Sequence, residues 1–225
     1  SHNQHIEIKA DYEWKPTQQS RLEAGYNYSR TWGTNNSVAY NMFADTQTEL
    51  YPYYAQFDNI VQNHALYVTY GNRFWDKLSI QVGLRGEYYM RHLESYYKDN
   101  NGTVQDSYAT NPSKQDTAYF QLFPSAYISY DFGNGHELQL NYTRRINRPW
   151  GNQINPRIDF SDSTNISYGN VDLLPAYSNN LELNYLKTWE RHTLSAGIFW
   201  KYREGAVQNI KYMDGDVMKN TYLNI

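Results

Sequence analysis

The 225-residue chain has no cysteine, so disulfides and thiolate chemistry are excluded and the redox compartment stays open. No apolar run approaches the roughly 18 residues that a membrane-spanning helix needs. No secretory leader opens the sequence, and Ser1 is expected to begin a mature protein or a fragment of one. Excess charge is also lacking. Lys and Arg number 20 against 23 Asp and Glu, and the net charge of -3 gives no reason to expect a nucleic-acid partner.

Site-forming motifs are equally sparse. His2, His5, His64, His92, His136 and His192 include no pair at helical metal-binding spacing. There is no Gly-x-Ser-x-Gly elbow and no glycine loop that could cradle a phosphate. No metal, cofactor or catalytic group is therefore expected, and the chain is not read as an enzyme. One enzymatic alternative is a rim site drawing on His92, Asp99 and Asp106, which share an outer loop; the plain reading of those three is solvated loop residues.

What the chain has in quantity is tyrosine: 24 Tyr beside 6 Trp and 8 Phe. Tyrosine joins an apolar ring to a polar tip, which suits a membrane–water boundary or a polar barrel wall. The mean hydropathy of -0.84 looks soluble. A membrane barrel meets lipid only at alternate strand positions, however, so its average can be polar. Composition alone leaves a barrel and a soluble carbohydrate-binding sandwich both open.

Periodicity separates them. From Phe120 to Ile146 the sequence reads as a hairpin. Pro124, Ala126, Ile128, Tyr130 and Phe132 alternate with Ser125, Tyr127, Ser129 and Asp131. After Gly133-Asn134-Gly135-His136, Leu138, Leu140 and Tyr142 alternate with Gln139, Asn141 and Thr143. A period of two gives each arm one apolar and one polar face. The same pattern runs through Ile6–Trp14, Leu22–Trp32, Leu66–Phe74, Leu78–Glu87, Leu181–Trp189, Leu194–Arg203 and Val217–Ile225. Charged residues on the second face, such as Arg21 and Glu23, require that face to be wet.

The connections alternate short and long. Short turns centre near Thr17, Asp76, Gly135 and Arg191; long loops centre near Phe43, Gly102 and Asp162, over about 33–59, 91–117 and 147–179. Short periplasmic turns and long outer loops mark an outer-membrane barrel. Trp14, Phe74 with Trp75, Phe132 and Trp189 stand beside the four short turns, as an interfacial girdle would. The expected fold is all-β, an antiparallel transmembrane β-barrel with about ten up-and-down strands. A break inside the last strand would leave an edge in lipid, so residues 1–225 are expected to be one part of a larger barrel domain.

Two segments carry a family resemblance. RRINRPWGNQINP contains Arg145, Arg148 and Pro149; ISYGNVDLLPAYSNNLELNY contains Gly169, Asn170, Leu173 and Pro175, then Glu182-Leu183; Phe123-Pro124-Ser125 lies upstream. Together they resemble the barrel of TonB-dependent receptors, in particular the Bacteroidetes outer-membrane barrel group. Val171, Leu174 and Ala176 depart from its Gly-Asn-Pro-x-Leu-x-Pro-Glu pattern. The resemblance implies residence in the outer membrane and a barrel of about 22 strands filled by a plug. It also implies energy-coupled import of a bulky nutrient: a glycan, a peptide or a siderophore. Implied partners are outer-membrane lipid, the plug and, through it, the TonB complex, with a surface lipoprotein as a further candidate. No plug-like segment or TonB box is recognised. The alternatives are a small complete barrel of adhesin or enzyme type and the soluble module.

Two residue sets are candidates for function. Arg85, Glu87, Arg145, Lys201 and Arg203 fall on the polar face, where they could meet a plug or ligand or form a charged wall ladder. Trp150, Asn155, Arg157, Asp159 and Tyr168 occupy the motif loop, where ring, amide and charge suit a sugar or peptide. Packing within the loop is the plainer account of the second set.

Overall fold

The computed structural model describes residues 2–43, 46–98, 104–106, 114–156 and 164–225. In chain order the strands are β1 His2–Trp14, β2 Ser20–Phe43, β3 Thr46–Phe74, β4 Leu78–Lys98 and the short β5 Val104–Asp106. Then come β6 Lys114–Gly133, β7 His136–Asn147, a 3-10 turn at Gly151–Gln153 and the short β8 Asn165–Ser167. Last are β9 Ala176–Thr188, β10 Thr193–Glu204, β11 Val207–Asp214 and β12 Val217–Asn224. Eight strands form one ladder in the order β1-β2-β3-β4-β6-β7-β9-β10, with β5 attached to β4. Every neighbouring pair in that ladder is antiparallel.

Pairing turns the sequence alternation into two chemically distinct faces. One line of partners across the ladder is Trp14, Leu22, Tyr70, Val82, Ala126, Tyr142, Leu181 and Trp200. The adjacent line is Glu13, Glu23, Thr69, Gly83, Ser125, Thr143, Asn180 and Lys201. Because the side-chain period is two, a slip of one residue anywhere would carry polar groups into the apolar face. Leu84, Ile128 and Ile198 belong to the apolar face and are 44%, 36% and 74% exposed. A two-sheet sandwich would bury them. The wall instead presents them outward, as a lipid-facing surface requires.

Each short turn falls where expected. Trp75 and Asp76 both adopt positive φ, 52° and 56°, the backbone of a tight hairpin turn whose twist matches its strands. Gly135 also has positive φ (75°), and a Cβ there would lie 2.2 Å from the Thr188 carbonyl oxygen, so the β6–β7 turn needs glycine to sit against the end of β9.

The long connections depart from expectation. Most of the stretch 33–59 stays in the ladder: β2 continues to Phe43 and β3 begins at Thr46, with a register shift between Val38 and Tyr40. Likewise β4 runs to Lys98 and β6 starts at Lys114, which shortens the loop expected over 91–117; β9 starts at Ala176 rather than after Asn179. Crossing the bilayer takes about ten residues of each strand. The remainder pairs above it, where both faces are wet and the apolar alternation that marked the strands has no cause to persist. The strand after Asp214-Gly215 also pairs differently from a simple meander. β11 and β12 form a hairpin, and β12 runs parallel to β8 in a separate three-stranded sheet.

Candidate functional site

The connection from β7 to β9 folds back over the polar face at the long-loop end of the wall. Ile154, Val171 and Leu173 are almost fully buried against Phe57 of β3 and Leu93 of β4, with Val207 and Tyr222 packed alongside. This small cluster is the apolar core of the described residues. It explains one departure from the family motif, since Val171 fills the core without the ring that proline would bring.

Charge holds the connection beneath its core. Glu87 on β4 receives Arg85 Nε at 2.6 Å on one carboxylate oxygen and Arg148 Nη2 at 2.6 Å on the other. Arg148 also donates from Nε to the Tyr119 hydroxyl at 3.0 Å and lies 4.4 Å from the Tyr89 ring centroid. Tyr89 and Tyr119 stack at 5.1 Å. One row up the same face, Arg91 is buried and donates from Nη2 to the Val171 carbonyl at 3.1 Å. The first arginine motif thus ends in a clamp on β4 and β6.

The second motif builds the loop around its glycine. Gly169 donates to the Asn155 carbonyl and Asn170 to that of Gln153, at 2.8 and 2.7 Å. A Cβ on Gly169 would lie 2.5 Å from the carbonyl oxygens of both Asn152 and Asn155. Those contacts are backbone and cannot give way as a flexible side chain could. Gly169→Ala is therefore expected to cost about 1–3 kcal/mol of local stability, measurable as faster amide exchange across 150–175 with the strands of the ladder unaffected. Asn170 Nδ2 then reaches the Tyr222 carbonyl at 3.0 Å, and Asn224 bonds the Leu174 backbone through both its amide atoms. In this way the β11–β12 hairpin fastens the loop from above.

Tyr168 joins the hairpin too, with its hydroxyl 2.9 Å from that of Tyr212. Burial first, then this bond and the Asp214 carboxylate, push the Tyr168 hydroxyl up to about 12. A phenol whose folded value is raised keeps its proton longer in the folded state. Its contribution is complete below the ordinary phenolic value near 10 and is lost as pH rises through about 12. A difference titration at the tyrosinate absorbance, wild type minus Tyr168→Phe, is expected to show this group ionising well after the bulk of the tyrosines.

Of the candidate residues, Trp150 and Asn155 line one cleft of about 590 Å³ that also holds Arg91 and Arg148. Asn155 and Tyr168 line a second, of about 190 Å³, with Asn152, Asn209, Asn220 and Tyr222. Arg157 and Asp159 lie outside the described residues. Arg85 and Glu87 form the clamp, whereas Arg145, Lys201 and Arg203 group elsewhere on the same face. For the enzymatic alternative, Asp99 lies outside the described residues, while His92 bonds Asp116 at 2.6 Å and Asp106 sits in β5. Sequence reasoning missed Arg91, Tyr89, Tyr119, Asn220 and Asn224. The first two share the parity of Arg85 and Glu87, which was the available signal; for the asparagines there was none.

A model of the outer membrane protein beta-barrel family matches residues 1–225. No curated protein matches the sequence. Among solved structures, the copper transporter OprC is similar over 99% of this chain and 33% of its own, with TM-score 0.73 and 10% identity. The ferric-catecholate import receptor Fiu from E. coli K12 aligns over 99% of this chain and 33% of its own, with TM-score 0.57 and 12% identity. The Serratia marcescens hemophore receptor HasR, solved with its hemophore HasA and heme, gives 99% and 44%, with TM-score 0.54 and 12% identity. The chain therefore spans about a third to under a half of the length of these structures. At such identities the likeness is one of fold.

Proposed function

The chain belongs to the outer membrane protein β-barrel family, and from that premise we propose that it forms part of the wall of a TonB-dependent transporter. The transporter imports a bulky nutrient, a glycan, peptide or siderophore, by energy-coupled active transport. In this reading the apolar face meets outer-membrane lipid, the polar face lines the lumen, and residues 1–225 are one portion of a single barrel domain.

The observation that carries the reading is the β7–β9 connection clamped over the polar face. A wall that matches about a third of the OprC chain fits a barrel too wide to be filled by its own side chains. An inward-folded loop narrows its outer mouth and sets Trp150, Asn155 and Tyr168 where an arriving ligand would meet them. Arg85 and Glu87 act in the wall by holding that loop. The plug and the TonB complex acting through it are the partners this mechanism needs, with a surface lipoprotein as a candidate lid. Import of substrates through related walls, copper by OprC and ferric catecholates by Fiu according to their names, supports transport as the shared task.

Deleting the gene tests the proposal. Growth on at least one of a set of glycan, peptide and ferric-siderophore sources is expected to fail, and uptake of that source by wild-type cells is expected to stop with a protonophore. Uptake that persists without a proton-motive force would contradict energy coupling.

A further inference from the structure

We propose that Arg145, Lys201 and Arg203 form an anion-binding subsite on the polar face, which takes a small solute carrying several carboxylate or phosphate groups. The proposal names a ligand class and rests on the reading of that face as a lumen.

Register brings the three together from strands far apart in sequence. Arg145 on β7 and Arg203 on β10 are both opposite Ser178 of β9. Lys201 is opposite Asn180, two residues along β10 from Arg203. Strand spacing places the two arginine backbones about 10 Å apart, with Lys201 about 7 Å from Arg203. The surface between them is concave. A cleft of about 350 Å³ is lined by the three cations with Asn147, Ser178 and Val207 among others.

Elsewhere on the wall, several cations on this face are matched by acids, and Arg91 by a backbone carbonyl. Lys9 pairs with Asp11, Arg21 with Glu13 and Glu23, and Arg85 and Arg148 with Glu87. Among the described residues, none of Arg145, Lys201 and Arg203 makes an ion pair or side-chain hydrogen bond. Glu182 lies one row down the same face, opposite Phe199, and does not pair with Lys201. Three like charges in one hollow repel one another, and the hollow focuses their field on whatever anion enters. Two guanidinium forks can each take a pair of oxygens of a carboxylate or phosphate, and the Lys201 ammonium adds a point charge beside them. Ser178 and Asn147 supply neutral hydrogen-bonding groups at the floor and edge. Hence the cleft favours a multivalent anion over a neutral sugar.

Calorimetric titration of the full-length receptor in detergent micelles, with citrate and with inorganic phosphate as probes, tests the site without requiring uptake. Citrate is expected to bind, and to bind about tenfold or more weakly in the triple variant Arg145→Gln, Lys201→Gln, Arg203→Gln. Affinity is expected to fall several-fold when salt rises from about 0.05 to about 0.5 M, and Lys201→Arg is expected to retain it. Heat-modifiable migration confirms that each variant folds; if the triple variant does not fold, Arg203→Gln alone carries the comparison. Wild-type receptor that binds neither probe, as would follow if an acidic segment of the receptor fills the cleft, overturns the proposal. So does binding that the variant leaves unchanged. Either result leaves the transport reading to its own test.

Discussion

Glu87→Ala is expected to free the β7–β9 connection from the wall. The carboxylate is 9% exposed and the Arg148 side chain 22%, so the substitution strands a partly buried guanidinium and also removes the partner of Arg85. Breaking one side of such a pair costs about 3–5 kcal/mol. The exposed pairs at the other end of the wall set the scale for comparison. Arg21 and Glu13 are 55% and 42% exposed, and a pair of that kind contributes about 0–1 kcal/mol. Glu13→Ala is therefore the matched control. Amide exchange at Gly169 and Asn170 should accelerate strongly in Glu87→Ala and remain at the wild-type rate in Glu13→Ala. Equal rates in the two variants would mean that the apolar cluster around Ile154 holds the loop without the clamp.

The second large effect is expected on the opposite face. Leu84 lies six residues beyond Leu78, the first residue of β4. Tilted strands climb about 2.5 Å per residue, which puts Leu84 about 15 Å above the Trp75 turn, near the middle of an apolar band about 25 Å tall. Leu84→Arg is expected to destabilise the receptor by about 2–4 kcal/mol, the cost of a cation at mid-bilayer on the lipid face. Gln81→Arg changes a nearby residue on the other face and is expected to cost under about 0.5 kcal/mol, as exposed substitutions do. Denaturant unfolding from lipid vesicles measures both. The size of the Leu84→Arg cost, together with Leu84→Ala, distinguishes an outward apolar face from an inward one, because a dry protein core would resist Leu84→Arg still more and would also be strongly destabilised by Leu84→Ala.

The readable parts of the sequence were those where lipid imposes a rule. Alternation from Leu78 to Glu87 or from Phe123 to Phe132 exists because one face meets hydrocarbon, and its register follows from the same cause. The turns were legible from residues that end a ladder, such as Pro16 and Gly133-Asn134-Gly135. Above the bilayer that rule lapses. The upper halves of β2 and β3 carry Asn35, Asn36, Gln56 and Asp58, which pair in the ladder while looking like loop. Motif residues marked the β7–β9 connection as special, yet its inward fold depends on Arg148 meeting Glu87, a contact 61 residues apart in sequence. Nor could composition show that Asn224, near the end of the chain, would fasten Leu174.

The most direct measurement uses the absence of cysteine from residues 1–225, any cysteine elsewhere in the receptor being replaced by serine first. Single cysteines carrying spin labels would replace Leu84, Ile128 and Ile198 on one face, and Gln81, Ser125 and Ser195 on the other, in receptor reconstituted into bilayers. Dissolved oxygen partitions into hydrocarbon and a nickel chelate stays in water. The first three labels are expected to collide mainly with oxygen and the second three mainly with the chelate. Labels at Leu84, Ile128 and Ile198 shielded from both reagents would contradict the account, since that is the signature of a packed protein interior.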